Sequence, residues 1–153
     1  MTVYRIQEAP LDINVLTQEL TESSSECGAI VTFTGRVRGS SEANMGVKEI
    51  YLESYPSMTN KAMMEIVEEV KLRWRAVEKV SIIHRVGVIG LCEPIVFVGV
   101  SSKHRKDSFE AASFIMDQLK TSVPLWKKEN IEGQGWAWVN AKSSDKQAAL
   151  RWY

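Results

Sequence analysis

The segment IVFVGVSS, residues 95–102, constrains the fold more than any other part of this chain. A strand with one face in water alternates apolar and polar residues. This run does not alternate, so it reads as a strand covered on both faces. The basic residues KHRK (103–106) follow it, and after them comes a long helical pattern from about Asp107 to Val123. In that pattern Phe109, Ala112, Met116 and Leu119 recur at spacings of three and four, as one helix face requires. Pro124 stops it, because proline lacks the N–H and clashes with the preceding turn.

The remaining chain supplies the partners of that strand. VYRIQ (3–7) alternates and reads as a first strand. Asp12 is placed to cap a short helix over INVLTQEL (13–20). CGAIVTFTGRV (27–37) is β-branched and aromatic and reads as a strand, followed by the polar, glycine-bounded loop RGSSEANMG (38–46). VKEIYLESY (47–55) alternates again. Pro56 then opens a second long helix, proline being well tolerated in a first turn. Met58, Ala62, Ile66, Val70 and Trp74 recur every four residues as its expected apolar stripe. VEKVSIIHRVGVI (77–89) is read as one strand, GLCEP (90–94) as a turn and WAWVNAK (136–142) as a last strand. Strands and helices are mixed without strict βα alternation. The expected class is therefore α+β, with helices on one side of a mixed or largely antiparallel sheet and two long helices. Residues 1–142 form one domain in this reading, and residues 143–153 a polar, amphipathic C-terminal tail.

Composition narrows the function by exclusion. Nineteen Lys and Arg balance nineteen Asp and Glu over 153 residues, so a global basic field for nucleic acid is absent. The polar N-terminus is unlike a signal peptide, and no apolar run approaches the roughly 20 residues that span a bilayer. Cys27 and Cys92 are far apart and in apolar surroundings. They read as buried free thiols in a reducing compartment, and a cytoplasmic location is expected. With two histidines far apart and no cysteine cluster, a metal site is not expected. His84, inside IIHRV, reads as a satisfied half-buried histidine. Trp74, Trp126, Trp136 and Trp138 read as core or strand residues. Neither GxGxxG after a strand nor GxxxxGK[ST] occurs.

Three local clusters break the neutral average. Arg36 and Arg38 flank Val37 at the end of a strand and, by alternation, point to one face, where two guanidiniums can clamp an anion. Lys103, His104, Arg105 and Lys106 stand at a helix N-terminus, the wrong end for cations. Two readings stand there: the cluster binds a phosphate at the helix N-terminus, or its side chains splay into water and Asp107 supplies the helix with its acid. The third cluster is Lys120, Lys127 and Lys128 in LKTSVPLWKKE (119–129). Lys120 suits the C-terminal end of the helix dipole. If Leu125 and Trp126 dock on the core after Pro124, Lys127 is held near the domain. Amines near other cations and apolar surface are candidates for base or nucleophile; the alternative is simple neutralisation of an anionic ligand.

The motifs FTGRVR (33–38), YPSM (55–58), IHRVG (83–87), VGVSSKHR (98–105), FEAASFIMDQLK (109–120) and VPLWKKE (123–129) occur in this order. Together they resemble the large, catalytic subunit of molybdopterin synthase over nearly the whole chain, from Val3 to Lys142. The resemblance implies an α/β-hammerhead fold that forms a homodimer. Each protomer would bind a small ubiquitin-like sulfur carrier, giving a heterotetramer. It also implies sulfur transfer from the carrier's C-terminal Gly-Gly thiocarboxylate to cyclic pyranopterin monophosphate, forming the dithiolene of molybdopterin, with no metal or other cofactor.

Carried over position by position, the resemblance makes Lys120 and Lys127 catalytic. It places Arg36, Val37, Arg38, His104, Arg105, Lys128 and Glu129 with them in substrate binding. In that picture Arg38, His104 and Arg105 hold the phosphate and the developing negative charge. Lys120 meets the carrier terminus and Lys127 moves protons, with a covalent lysine adduct as the other route. The chain departs from the family at Ser54, where some members carry histidine, and at Lys142, where many carry arginine. The competing readings are a non-catalytic module of the same fold that binds anions or a ubiquitin-like protein, and a nucleic-acid-binding domain. The zero net charge disfavours the second of these.

Overall fold

The computed structural model describes residues 2–139 and 143–153. Among these residues eight strands form two four-stranded sheets. The first holds β1 (Val3–Gln7), β4 (Val77–Arg85), β6 (Pro94–Ser102) and β2 (Ala29–Arg36), in the order β1-β4-β6-β2. The second holds β5 (Gly87–Gly90), β3 (Val47–Ser54), β7 (Leu125–Ile131) and β8 (Gly135–Val139), in the order β5-β3-β7-β8. The β1–β4 pair is parallel and the other pairs are antiparallel. The helices are α1 (Ile13–Thr21), α2 (Pro56–Arg73), α3 (Arg105–Thr121) and α4 (Ser143–Leu150).

The run at 95–102 is the inner strand β6, between β4 and β2, and both its faces are covered. Val98 and Val100 pack with Val80 and Ile82 of β4 against Met63 and Val70 of α2 and Phe114 and Ile115 of α3. On the opposite face Phe97 and Ile83 meet Leu16 and Leu20 of α1. Helices therefore cover both faces of the first sheet rather than one side of a single sheet. The short helix α1 does the covering that the expected layout omitted. It starts where Asp12 accepts a hydrogen bond from the Val15 N–H at 3.2 Å, as an N-cap should.

The second sheet has its own small core of Val37, Val47, Ile50, Leu52 and Ile89. VEKVSIIHRVGVI is two strands, one in each sheet. Gly87, at φ +84°, lies where the chain leaves β4 and enters β5, a backbone conformation glycine adopts without strain. After Pro124, Leu125 packs against the main core while Trp126 stays exposed. From Leu125 the chain runs straight into β7, paired with β3 and β8.

The expected helix stripes need correction. On α2 the buried row is Thr59, Met63, Ile66, Val67 and Val70, while Met58 is exposed. A strict four-residue spacing drifts by about 40° per step around a helix of 3.6 residues per turn, so the sequence stripe slides off the core face. On α3, Ala111, Phe114, Ile115 and Leu119 are buried and Phe109 is exposed.

Helix α4 packs on α3, and Trp152 enters the main core beside Phe114, with ring centroids 5.5 Å apart. Its Nε1–H donates to Asp117 at 2.7 Å, and Arg151 pairs with the same carboxylate at 2.9 Å. Both cysteines are free thiols; Cys27 is half-buried and Cys92 exposed, not buried as expected. Among the described residues no helix is long and apolar enough to cross a membrane.

Candidate active site

The two sheets and the C-terminal end of α3 enclose a cleft of about 320 Å³, within the size range of small-molecule sites. Its apolar floor comes from Ile50 and Leu52 of β3, Ile95 of β6, and Leu119 and Val123 at the end of α3. Among the described residues four cations line it: Arg36 at the end of β2, Arg38 in the loop that follows, Lys120 in the last turn of α3, and Lys127 on β7. One carboxylate, Glu129, opposes them. On a chain of zero net charge this is a local concentration of positive potential over an apolar floor.

Each cation has a local reason for its place. Val37 is buried in the second core and anchors the segment from which Arg36 and Arg38 both reach the cleft. Arg36 Nε donates to the Cys92 carbonyl at 2.9 Å, and the Cys92 N–H donates to the Val37 carbonyl at 2.9 Å. Cys92 holds a left-handed φ of +68°, rare for a residue other than glycine. These two bonds fix that turn against the arginine segment. Strand alternation puts Leu125, Lys127 and Glu129 of β7 on the cleft side.

Glu129 does more than line the wall. It is 2% exposed. Its Oε1 accepts from Ser41 Oγ at 2.8 Å and from Asn44 Nδ2 at 2.7 Å, and its Oε2 lies 3.7 Å from Lys127 Nζ. The carboxylate thus ties the 38–46 loop to β7 and holds Lys127 on the cleft side. The Asn44 N–H donates to Ser41 Oγ at 3.1 Å and the Ser41 N–H to the Asn44 carbonyl at 2.8 Å, which keeps the clamped turn compact.

His84 of β4 also faces the cleft and is 8% exposed. Burial pushes its pKa down to about 4. The hydrogen bond to the Arg85 carbonyl acts against that, and the nearby charge of Lys120 adds to it. The ring is therefore neutral at pH 7.

A family profile described as MoaE protein matches residues 6–122. The chain belongs to the MoaE family. It is 48% identical to the "Molybdopterin synthase catalytic subunit" of Haemophilus influenzae over 149 residues, covering 96% of this chain and 95% of that one. The protein of the same name from Escherichia coli K12 is 51% identical over 129 residues, covering 83% of each. Among solved structures, the "Molybdopterin biosynthesis MoaE protein" from Burkholderia ambifaria superposes with a TM-score of 0.82 at 39% identity, covering 99% of this chain and 98% of that one. The expected α+β class and family are those found.

Within this MoaE-family chain the structure gathers only part of the expected site. Arg36, Val37, Arg38, Lys120, Lys127 and Glu129 share the cleft. Lys120 and Lys127 thus meet there despite the helix break between them. His104 and Arg105 do not join them. They stand exposed at the N-terminal end of α3, about 22 Å along the helix from Lys120 at 1.5 Å per residue. Lys128 also leaves the group, because its neighbours in β7 face the cleft and it does not. Its ammonium lies over the rings of Tyr51, Trp138 and Trp136 at 4.7, 5.0 and 5.8 Å, on the other face of the second sheet. Trp136 and Trp138 are strand residues of β8, exposed on that face, and Trp126, a strand residue of β7, is exposed edge-on to Tyr55. Lys142 lies outside the described residues. Sequence reasoning missed His84 and the clamp from Glu129 to Ser41 and Asn44. The alternation of Leu125, Lys127 and Glu129 would have signalled the latter, had LWKKENI been read as a strand.

Proposed function

We propose that this cleft is where sulfur passes from the C-terminal thiocarboxylate of a small ubiquitin-like carrier to cyclic pyranopterin monophosphate, building the dithiolene of molybdopterin. The observation that carries the reading is the meeting of Arg36, Arg38, Lys120 and Lys127 over an apolar floor. Both reactants are anions, and a pterin ring is flat and largely apolar. A thiocarboxylate and a phosphate entering one small site need several cations in a low-dielectric surround to offset their repulsion. Lys120, at the helix end, polarises the acyl-thio group of the carrier. Lys127, held by Glu129, moves protons during sulfur addition. Arg38 and Arg36 take the phosphate and the charge that develops.

His104 and Arg105 enter this reading through a homodimer. One protomer cannot bring them to its own Lys120, because α3 separates them. A second copy related by a two-fold axis can present its α3 N-terminus to the first copy's cleft, and receives the same in return. The assembly proposed is a homodimer with one carrier on each protomer, in the cytoplasm.

The experiment is in vitro synthesis with thiocarboxylated carrier and pterin precursor, reading out dithiolene product. Product formation supports the enzyme. Carrier binding without product would instead support a binding module that has kept the fold and lost the chemistry.

A further inference from the structure

One oxygen of the Glu129 carboxylate, Oε1, takes both of its hydrogen bonds from one short turn: Ser41 Oγ at 2.8 Å and Asn44 Nδ2 at 2.7 Å. The direction of each bond is forced. An ionised carboxylate can only accept, so the Asn44 amide must turn its NH₂ toward it. Ser41 Oγ accepts from the Asn44 N–H at 3.1 Å, which leaves its own proton for Glu129. The turn that presents the two donors is closed on itself. The Ser41 N–H donates to the Asn44 carbonyl at 2.8 Å, Ser40 bridges to Met45, and the Val47 N–H donates to the Gly39 carbonyl at 2.9 Å. Two donors on one oxygen fix the rotation of the carboxylate, and the other oxygen, Oε2, is the one that faces Lys127 Nζ, at 3.7 Å. Tethering the turn to β7 does not by itself call for a buried charge. An apolar pair would join them without the cost of desolvating a carboxylate. The charge has a use where a cation must be held. Arg36, Arg38 and Lys120 share the cleft with Lys127 and repel it, and its side chain is 36% exposed, so solvent is open to it. Ser41 lines the cleft, whereas Asn44 stands outside its lining. Whatever Asn44 does for the chemistry passes through Glu129 or through the turn.

We propose that Asn44 is a positioning residue for sulfur transfer: with Ser41 it fixes the Glu129 carboxylate so that Oε2 holds the Lys127 ammonium on the cleft side. The inference rests on the reading of the cleft as the sulfur-transfer site. The turn sets the carboxylate, and the carboxylate sets the lysine. Without the Asn44 amide the carboxylate can rotate, and the repelled ammonium moves toward water.

The test compares wild type, Asn44→Ala and Asn44→Asp in dithiolene synthesis with thiocarboxylated carrier, each chain also followed by urea unfolding. Asn44→Ala is expected to lower kcat about 10-fold with KM for the pterin little changed, as for a misaimed proton-moving group. A raised KM at wild-type kcat would tie Asn44 to substrate binding by the turn and overturn the proposal. A folded Asn44→Ala with wild-type kcat and KM would overturn it as well. Asn44→Asp sets a second carboxyl against Glu129. Two such groups come to share one proton as the pH drops, and that proton restores a donor. The ratio of Asn44→Asp to wild-type kcat is therefore expected to rise about 10-fold from pH 8 to pH 6, while the ratio for Asn44→Ala stays flat. A flat ratio for Asn44→Asp would overturn the proposal. If Asn44→Asp does not fold, kcat and KM of Asn44→Ala decide. Absence of dithiolene formation by the wild-type chain would instead overturn the functional reading. Stability lost in Asn44→Asp at pH 8 and regained at pH 6 would then leave the link from Asn44 to Glu129 standing.

Discussion

Removing the Glu129 carboxylate should release one wall of the cleft, and the structure sets the size of the effect. Glu129 is 2% exposed and accepts from Ser41 Oγ at 2.8 Å and Asn44 Nδ2 at 2.7 Å. Hydrogen bonds to an ionised acceptor are worth about 1.5–3 kcal/mol each. Part of that is recovered, because Ser41 and Asn44 are only half-buried and water can reach them once the clamp opens. The 3.7 Å contact to Lys127 adds little, since that side chain is 36% exposed. Glu129→Ala should therefore destabilise the fold by about 3 kcal/mol. Glu129→Gln keeps an acceptor oxygen for the loop and should cost about 1 kcal/mol. Urea unfolding at pH 7 with equal m-values measures both. Turnover should fall further than stability explains, because the released loop carries Arg38, Ser40 and Ser41 into the cleft. The clamp argument would fail if Glu129→Ala stayed within about 0.5 kcal/mol of wild type.

Other outcomes follow from the same geometry. His84 is held near pKa 4 against an ordinary 6.5, so the unfolded chain takes up its proton first as the pH drops. Its contribution is whole above the unfolded value and is lost as pH falls from 6.5 to about 4, a change on the order of 3 kcal/mol. Urea titrations across that range should show His84→Gln with a flatter profile than wild type, and parallel profiles would contradict the burial argument. A dimer that shares its sites predicts complementation. Lys120→Ala and Arg105→Ala chains, each inactive alone, should recover roughly a quarter of wild-type activity when refolded together in equal amounts; no recovery would remove Arg105 from the partner's cleft. A Cβ on Gly28 would stand 2.4 Å from the Lys103 carbonyl oxygen. The obstacle is backbone that cannot rotate away, so Gly28→Ala should cost about 1–3 kcal/mol in the same denaturation assay.

Much of this architecture is legible in local pattern. The unbroken apolar run at 95–102 is the doubly covered strand β6, and Asp12, Pro56 and Pro124 punctuate the helices where their chemistry requires. What local pattern does not carry is the layer on which an element packs. Nothing in INVLTQEL says that α1 covers the face opposite the long helices. That depends on Gly99, where an added Cβ would lie 2.2 Å from Leu20 Cδ1, so the helix can sit close on β6. The split of residues 77–89 between two sheets turns on a single positive φ at Gly87. Local basic clusters on a neutral chain drew attention to Arg36, Arg38, Lys120 and Lys127, and the family resemblance singled out the two lysines; the cluster at the unexpected helix end, residues 103–106, does not line the cleft. The site was not legible as distance. His104 and Arg105 stand at the far end of the helix that carries Lys120, and only helix length separates the two groups. Lys128 was grouped with Lys127 by adjacency, where strand alternation sends adjacent side chains to opposite faces. Nothing in IIHRV tells a histidine that lines a cleft from one satisfied in an apolar strand.

The central claim is that Lys120 and Lys127, brought into one cleft from the end of α3 and from β7, carry out sulfur transfer. Its most direct test is dithiolene formation from pterin precursor and thiocarboxylated carrier by Lys120→Ala, with Lys127→Ala alongside and both variants checked for native unfolding curves. The account predicts no product with Lys120→Ala and loss of most turnover with Lys127→Ala. A correctly folded Lys120→Ala that still makes the dithiolene at near wild-type rate would contradict it.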